Sequence, residues 1–369
     1  MTLIATTQDQ IEKSRARLDR YIKEGSARAV SALERIEREV PTDHVAPAAL
    51  MRVVEGDGPN SPLWLNVQTR DERTAVSNPL HRHALGNLAS QASMPMAYVD
   101  HLLGQGEWGR ELVARNLTDG VRFGNAQSKY LVRTAGGNVR AVLSNKFRRI
   151  DARPILEMLV TEASRIGAKC VDGTVSDIRV EMKFIVPRIL EPAPGEFMVF
   201  GFAWSNSDYG AGANSLRSFA FRLACFNGAT LEQNLRQIHL GRALSEDVEW
   251  SRQTLEADTR TATFAARDTA RALLSDERIA RTADVISRAH AEGIDPKATL
   301  AGLKKKGITK ATEAKIAEAF NSPDVVELPP GNTMWRFSNA ISLVARNTQD
   351  AEQKLELERL AGDVLPKAA

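Results

Sequence analysis

The chain has 369 residues, of which 43% are hydrophobic and 26% charged, and its formal net charge is +3. These fractions are typical of a soluble globular protein. No apolar run approaches the roughly 20 residues that a membrane-spanning helix needs, and the first residues do not have the pattern of a signal peptide. Cys170 and Cys225, the only cysteines, exclude a disulfide framework and fit no zinc motif. We therefore predict a cytoplasmic protein with two buried free thiols.

The charge is distributed unevenly along the chain. Residues 120–242 contain 17 Lys and Arg but only 10 Asp and Glu, so the remainder carries a net negative charge. A nearly neutral protein with one basic segment favours a localised phosphate-binding groove over a diffuse basic tail.

The first third of the chain is predicted to be mostly helical. Apolar residues recur at helical spacing over residues 8–40, and Pro41 ends this long charged helix. Such an arm packs either on a neighbouring subunit or on its own domain, and the sequence leaves both open. Residues 46–77 contain two short strand patterns, and Asn78-Pro79 opens a region of three short helices that we expect to cover one face of a sheet.

The middle of the chain carries the sheet signals. Two strand-length runs flank Ala135-Gly136-Gly137, which is typical of a hairpin turn. A helix follows over 154–166. Residues 178–186 then alternate apolar and charged side chains, which predicts a strand with one face on the core. The apolar run 197–204 indicates a central strand, and 216–226 indicates another.

From residue 244 onward the pattern is helical, with a helix–turn–helix-like unit over 296–320. The fold class predicted is α+β: a central, mainly antiparallel twisted sheet with packed helices, a long N-terminal helix and a helical C-terminal region. The predicted division is an N-terminal arm at 1–45, a core domain at 46–243, a helical region at 244–325 and C-terminal helices at 326–369.

The basic hairpin and the turn that follows it are the strongest functional signal. Lys and Arg bind phosphates, and aromatic faces stack on unpaired bases, so a strand surface with both fits a single-stranded polyanion. A solvated hairpin edge is the alternative. Arg217 and Arg222 either line the same groove or bridge to core acids such as Glu181 or Glu196. The candidate nucleic-acid-binding residues are Lys129, Tyr130, Arg133, Arg140, Lys146, Phe147, Arg148, Arg149, Arg153, Arg217 and Arg222.

Other motifs are weaker. Gly210-Ala211-Gly212 lacks the Gly-Lys-Ser/Thr of a phosphate-binding P-loop, so we predict a flexible loop. The histidines His81, His83 and His101 lack metal-site spacing, and we predict no metal and no cofactor. The lysines at 304–306, with Lys310 and Lys315, faintly resemble a helix–hairpin–helix DNA module, although a structural helical hairpin explains them equally. Trp335 is predicted to be a core residue.

Three segments resemble a phage- and plasmid-borne family of unknown function. Residues 139–151 (VRAVLSNKFRRID) are similar to its "RAFLSDRYRxxD" signature. Residues 200–228 resemble its "SNSExGxG…RLxCxNG" element, and residues 333–346 resemble its C-terminal "TxWxxxNAxTxxA" helix. The resemblance fixes no reaction. It implies the company of phage recombination genes, and the fold expected is analogous to that of single-strand annealing recombinases.

We therefore expect a single-stranded-DNA-binding and annealing protein without a catalytic centre. It is expected to act as a homo-oligomer, with phage or plasmid recombination proteins as further partners and no membrane. One alternative is a nuclease or nucleotide-processing enzyme centred on Asp151, Asp208 and His239, and another is a host-directed, protein-binding anti-defence factor.

Overall fold

The computed structural model describes residues 8–58, 61–69, 73–124, 128–223, 227–237, 251–303, 308–322 and 328–366. The helices are α1 (Gln8–Arg38), α2 (Arg82–Gln91), α3 (Met96–Leu103), α4 (Glu107–Gly124), α5 (Ala152–Arg165), α6 (Arg252–Leu273), α7 (Asp276–Ala291), α8 (Pro296–Leu303), α9 (Lys310–Asn321), α10 (Met334–Arg346) and α11 (Ala351–Asp363). The strands are β1 (Thr42–Pro47), β2 (Met51–Val54), β3 (Trp64–Gln68), β4 (Thr74–Pro79), β5 (Lys129–Ala135), β6 (Asn138–Ser144), β7 (Lys169–Val175), β8 (Val180–Leu190), β9 (Met198–Asn206), β10 (Asn214–Arg222) and β11 (Asn227–Gln237).

The described strands form three antiparallel sheets. The largest has the order β11-β10-β9-β8-β7, so each strand pairs with its neighbour in sequence. The two smaller sheets have the orders β1-β5-β6 and β2-β3-β4. The predicted α+β class, with its long N-terminal helix and helical C-terminal region, is confirmed.

The five-stranded sheet has two different faces, because side chains alternate along each strand. On the face that we call face A, apolar residues such as Phe184, Phe202 and Trp204 form a core with α5 and α6. Further along the same face, Met198 and Phe200 pack against α7 and α10. The opposite face, face B, is covered by α1 and α11.

Helix α1 packs on its own sheet, which is one of the two alternatives that the sequence left open. At the crossing, a Cβ atom on Gly25 would lie 1.6 Å from the carbonyl oxygen of Val171, so only glycine permits this approach. Three residues later, the Arg28 guanidinium donates to the Asp172 carboxylate at 2.7 Å. Leu18 and Tyr21 of α1 are buried against the apolar half of face B.

The three short helices α2, α3 and α4 cover the two small sheets rather than the five-stranded one. Asn78 and Pro79 end β4, and the helical region begins at Arg82 after an N-cap at His81. The prediction that Asn78-Pro79 opens the helical region was therefore wrong by a few residues, because Asn78 extends a strand ladder opposite Leu65.

The C-terminal helices share a further core that includes Phe337 and Ile341 of α10 and Leu357 and Leu360 of α11. Within the described ranges, no helix combines the length and apolarity needed to cross a bilayer. Cys170 is a half-buried free thiol whose pKa is raised to about 12 by burial, and Cys225 lies outside the described residues.

Candidate nucleic-acid interface

The predicted hairpin is present, as β5 and β6. Gly136 and Gly137 have φ values of 57° and 76°, which are left-handed conformations that a tight hairpin turn requires and that glycine adopts without strain. Strand β1 pairs with β5 on the other side, so β5 is the central strand of its sheet.

Arg133, in the middle of this hairpin, points into the protein. Its side chain is 1% exposed. Its Nε donates to Asp43 at 2.7 Å, and its Nη1 donates to Asp151 at 2.8 Å and to the carbonyl oxygen of Asp208 at 2.6 Å. Burial alone would lower the pKa of Arg133, but these acids raise it overall. The guanidinium is neutralised internally, so it is not a phosphate contact.

Three neighbouring arginines also pair with acids of distant elements. Arg140 donates to Glu39 at the end of α1 at 2.5 Å. Arg148 holds both carboxylate oxygens of Asp258 on α6, at 2.6 and 2.9 Å, and Arg149 donates to Asp43 on β1 at 2.6 Å. Arg133, Arg140, Arg148 and Arg149, which we call the arginine cluster, therefore bind the hairpin to α1, β1 and α6. The prediction that they line a phosphate groove was wrong, because distant carboxylates neutralise them.

Asp208, in the loop between β9 and β10, contacts the arginine cluster through its carbonyl oxygen, which accepts from Arg133. Burial and the nearby Asp151 raise the pKa of its carboxyl group to about 7. Its Oδ1 accepts hydrogen bonds from the backbone N–H of Ala152 at 2.8 Å and from Asn206 at 3.1 Å. Asp151 and Asp208, two residues of the enzyme alternative, thus meet around Arg133, and the third, His239, lies outside the described residues.

A small cavity of about 40 Å³ lies beside Asp208. Arg35, Glu39, Arg140 and Tyr209 are among the residues that line it. A space of this size holds a few water molecules and is too small for a nucleotide.

The predicted aromatic stacking residues are also internal. Tyr130 and Phe147 are only 7% and 8% exposed. Tyr130 belongs to the core of the small sheets. Phe147 lies close to the glycine at position 210, whose added Cβ would be 3.5 Å from the ring, so the loop rests on this aromatic side chain. Neither ring is available to stack on a base, and these two predictions were wrong because both side chains are needed for packing.

Arg217 and Arg222 lie on opposite faces of the five-stranded sheet. On face A, the Arg222 guanidinium donates to both oxygens of Glu196, at 2.6 and 2.9 Å, and the Trp335 indole donates to the same carboxylate at 3.1 Å. On face B, Arg217 donates to Asp363 of α11 at 2.8 Å. Arg222 therefore bridges to a core acid, which is one of the two alternatives that the sequence left open. The prediction that Arg217 and Arg222 line one groove was wrong. Trp335 is a buried core residue.

Three of the eleven candidate residues are exposed. They are Lys129 at the start of β5, Lys146 just after β6, and Arg153 in the first turn of α5, which pairs with Glu157 at 2.9 Å. Tyr130 and Ser144 are opposite each other in the ladder, so Lys129 and Lys146 emerge together at the open end of the hairpin.

Two residues at the end of α4, a few positions before Lys129 in the chain, were missed by the sequence reasoning. Phe123, at the end of α4, is 78% exposed. Arg122 donates to the carbonyl oxygen of Ala49 at 2.8 Å, two residues after Pro47, which is opposite Lys129 in the β1–β5 ladder. A helical wheel of α4 would have placed Phe123 on the polar face, where an aromatic side chain has no role in the core. We call the set Arg122, Phe123, Lys129 and Lys146 the hairpin rim.

The remaining motifs are not brought into a site. His83 Nε2 lies 2.8 Å from the carbonyl oxygen of Tyr209, and His81 lies 3.5 Å from Asp177. In the part of the chain that the structure describes, no three His, Cys, Asp or Glu side chains are placed to hold a metal ion. Lys310 and Lys315 are exposed on α9, whereas the lysines at 304–306 lie outside the described residues.

Comparison with protein-family models, with curated proteins and with solved structures gives no match in any of the three.

Proposed function

We propose that this chain is a cytoplasmic single-stranded-DNA-binding and annealing protein of the phage or plasmid recombination type, acting as a homo-oligomer without a catalytic centre. The observation that supports the proposal is the hairpin rim. There, Lys129 and Lys146 are exposed at one end of the hairpin, and Phe123, which is 78% exposed, follows an arginine that bonds to Ala49, two residues after the ladder partner of Lys129. Cations beside an exposed aromatic ring are the combination that sequence-tolerant single-strand binding uses.

The arginine cluster has a different role in this proposal. Its ion pairs connect the hairpin to three other elements, which fixes the position of the hairpin end at which Lys129 and Lys146 are exposed. Lys129 and Lys146 would contact phosphates, and Phe123 would stack on a base. Annealing needs no reacting group, because a strand held by its backbone keeps its base edges available for pairing.

The test is fluorescence anisotropy with a labelled oligothymidylate. Replacing both lysines, Lys129→Gln with Lys146→Gln, should weaken binding by about 1–2 kcal/mol, or five- to thirtyfold, since two charge-assisted phosphate contacts are lost. Phe123→Ala should weaken it by a further 1–3 kcal/mol, roughly the value of one stacked base. The matched control is Arg281→Gln with Arg288→Gln, which removes two exposed cations from α7. Equal affinity of the rim and control variants would contradict the proposal.

One observation favours a protein-binding role as the second candidate. Trp108 at the start of α4 is 57% exposed and Tyr98 on α3 is 43% exposed, and exposed aromatic side chains are enriched at protein interfaces. A pull-down from host lysate with wild type and Trp108→Ala, each with and without nuclease, separates the two roles. A partner that survives nuclease and is lost with Trp108→Ala would favour this second function.

A further inference from the structure

Face B of the five-stranded sheet carries two acids and two cations that are largely buried, Asp172, Glu181, Lys183 and Arg217, which is unusual for the interior of a protein. The strand ladder aligns Asp172, Lys183, Ala203 and Arg217 in one row across four strands. The next row contains Glu181, Ser205 and Ser215. Phe219 follows on the same face, and its ring lies 5.6 Å from the Lys183 ammonium.

Helix α11 covers these rows with carboxylates. Glu358 accepts from the Lys183 ammonium at 2.7 Å, and Asp363 accepts from Arg217 at 2.8 Å. Glu352 lies 3.0 Å from the Arg179 guanidinium, which also lies 3.9 Å from Glu356. Three acidic side chains of α11 therefore pair with cations on or beside face B, while Arg359 of α11 donates to Ser205 of the second row at 2.9 Å. The apolar residues of α11 pack on α10.

This interface differs from the one on face A. There α5 and α6 bury a continuous apolar core, which does not depend on salt. On face B the described contacts of α11 with β8, β9 and β10 include ion pairs and polar hydrogen bonds, and the desolvation of buried charges offsets most of the attraction of the ion pairs. Two buried polar atoms on this face, Glu181 Oε1 and Arg217 Nε, have no hydrogen-bond partner among the described residues. The interface between α11 and face B thus pairs opposite charges but leaves two buried polar atoms without a described hydrogen bond.

We propose that the charged rows of face B are a second binding surface for single-stranded nucleic acid, and that α11 is its intramolecular competitor. A single strand offers the same cations a row of phosphates and offers Phe219 a base. When α11 leaves, Arg179 and Arg217 lose the carboxylates of Glu352 and Asp363, and phosphates replace them. Lys183 loses Glu358 but remains 3.6 Å from Asp172 and 3.8 Å from Glu181 on the same face. This inference rests on the proposed function for the identity of its ligand, but it uses residues distinct from the hairpin rim.

The test replaces three acidic side chains of α11 with neutral amides. The variant Glu352→Gln, Glu358→Gln, Asp363→Asn should bind labelled oligothymidylate about tenfold more tightly than wild type, which is within the usual range of coupling between two competing contacts. The slope of log affinity against log salt should steepen by about 1.4, because Arg179 and Arg217 become available to phosphates. The control is Asp276→Asn, Glu277→Gln, Asp284→Asn on α7, which makes the same change in net charge at exposed positions. A gain shared equally by the control would overturn the inference.

Hydrogen exchange on the wild-type protein provides a measurement that does not depend on a variant folding. Adding the oligonucleotide should speed the exchange of amides in residues 351–363, and unchanged exchange there would overturn the inference. The two proposals fail differently. If the lysine and Phe123 variants bind oligothymidylate as wild type does, but the α11 variant binds it more tightly, only the hairpin rim is contradicted. If the rim variants bind more weakly and the α11 variant binds as wild type does, only this inference is contradicted. No binding by either wild type or the α11 variant contradicts both.

Discussion

Arg133 on β5 and Asp151 before α5 are joined by a 2.8 Å hydrogen bond across 18 residues of chain. This pair turns the centre of the most basic segment inward, where two more acids, Asp43 and Asp208, surround the same guanidinium. The segment that looked most like a ligand-binding surface is therefore a junction between elements. Its function in the proposal is to fix the position of the two lysines at its open end.

Arg133→Met should destabilise the fold by about 1–3 kcal/mol, because it removes a buried guanidinium that bonds to the partly exposed Asp43 and Asp151 and to the carbonyl oxygen of Asp208. Urea denaturation measures the change. Arg153→Met is the matched control, since that side chain is half exposed and its one ion pair among the described residues is with Glu157 one turn later, so it should cost under about 1 kcal/mol. Similar midpoints for both variants would show that Arg133 is not an internal anchor.

The stability of the protein should depend on pH through Asp208. Burial and Asp151 raise its pKa to about 7 in the folded state, against about 4 in the unfolded chain. The folded state keeps the proton to higher pH, so the free energy of unfolding falls as the pH rises from about 4 to about 7. Asp208→Asn preserves the acceptor for the Ala152 N–H and should be more stable than wild type at pH 8.

The same variant should match wild type at pH 5, where Asp208 already carries its proton. Glu181, whose pKa is also raised to about 7 by burial, contributes in the same direction, so the substitution flattens the profile only in part. Urea denaturation at the two pH values measures both effects. An equal loss of stability at pH 5 and pH 8 would contradict this explanation.

The buried pair of Arg222 and Glu196 should behave as a unit. Arg222→Met leaves the Glu196 carboxylate uncompensated and should cost about 3 kcal/mol or more. Adding Glu196→Gln removes that charge while keeping an oxygen for the Trp335 indole, so the double variant should recover much of the loss. Additive losses in a double-mutant cycle would argue against a coupled pair.

Gly25→Ala should displace α1 from β7, because the new Cβ would collide with the Val171 carbonyl oxygen. We expect a loss of about 1–3 kcal/mol, as for other overpacked contacts. Gly86→Ala on α2 is the control. Its nearest neighbour would be Met96 Sδ at 4.0 Å, so the gain in helix propensity should stabilise the protein by about 0.5–1 kcal/mol. Thermal denaturation compares the two, and a neutral Gly25→Ala would place α1 elsewhere.

The sequence predicted the elements whose signals are local. Alternation in β8, the Gly136-Gly137 turn and the helical period of α1 depend only on near neighbours, and all three are present. The ion-pair partners of the arginines could not be predicted from near neighbours. Asp43, Glu39 and Asp258 lie 90, 101 and 110 residues from the arginines that they neutralise, and no count of charges within one segment includes them.

The exposure of aromatic side chains was equally hard to predict from the sequence. Phe123 belongs to a helix whose core residues are clear from their spacing, but only the packed structure shows how much of its ring remains in solvent. The sequence could identify cations and aromatics by type. Separating Lys129 and Phe123, which are exposed, from Arg133 and Phe147, which are buried, required the tertiary contacts.

The salt dependence of oligothymidylate binding by the wild-type protein tests the central claim most directly. With Lys129 and Lys146 each neutralising one phosphate, log affinity should fall against log salt with a slope of about −1.4, at about 0.7 per phosphate on a single strand. Light scattering on the same samples gives the subunit number of the complex. Binding that is undetectable at 50 mM salt, or that does not weaken with added salt, would contradict the account.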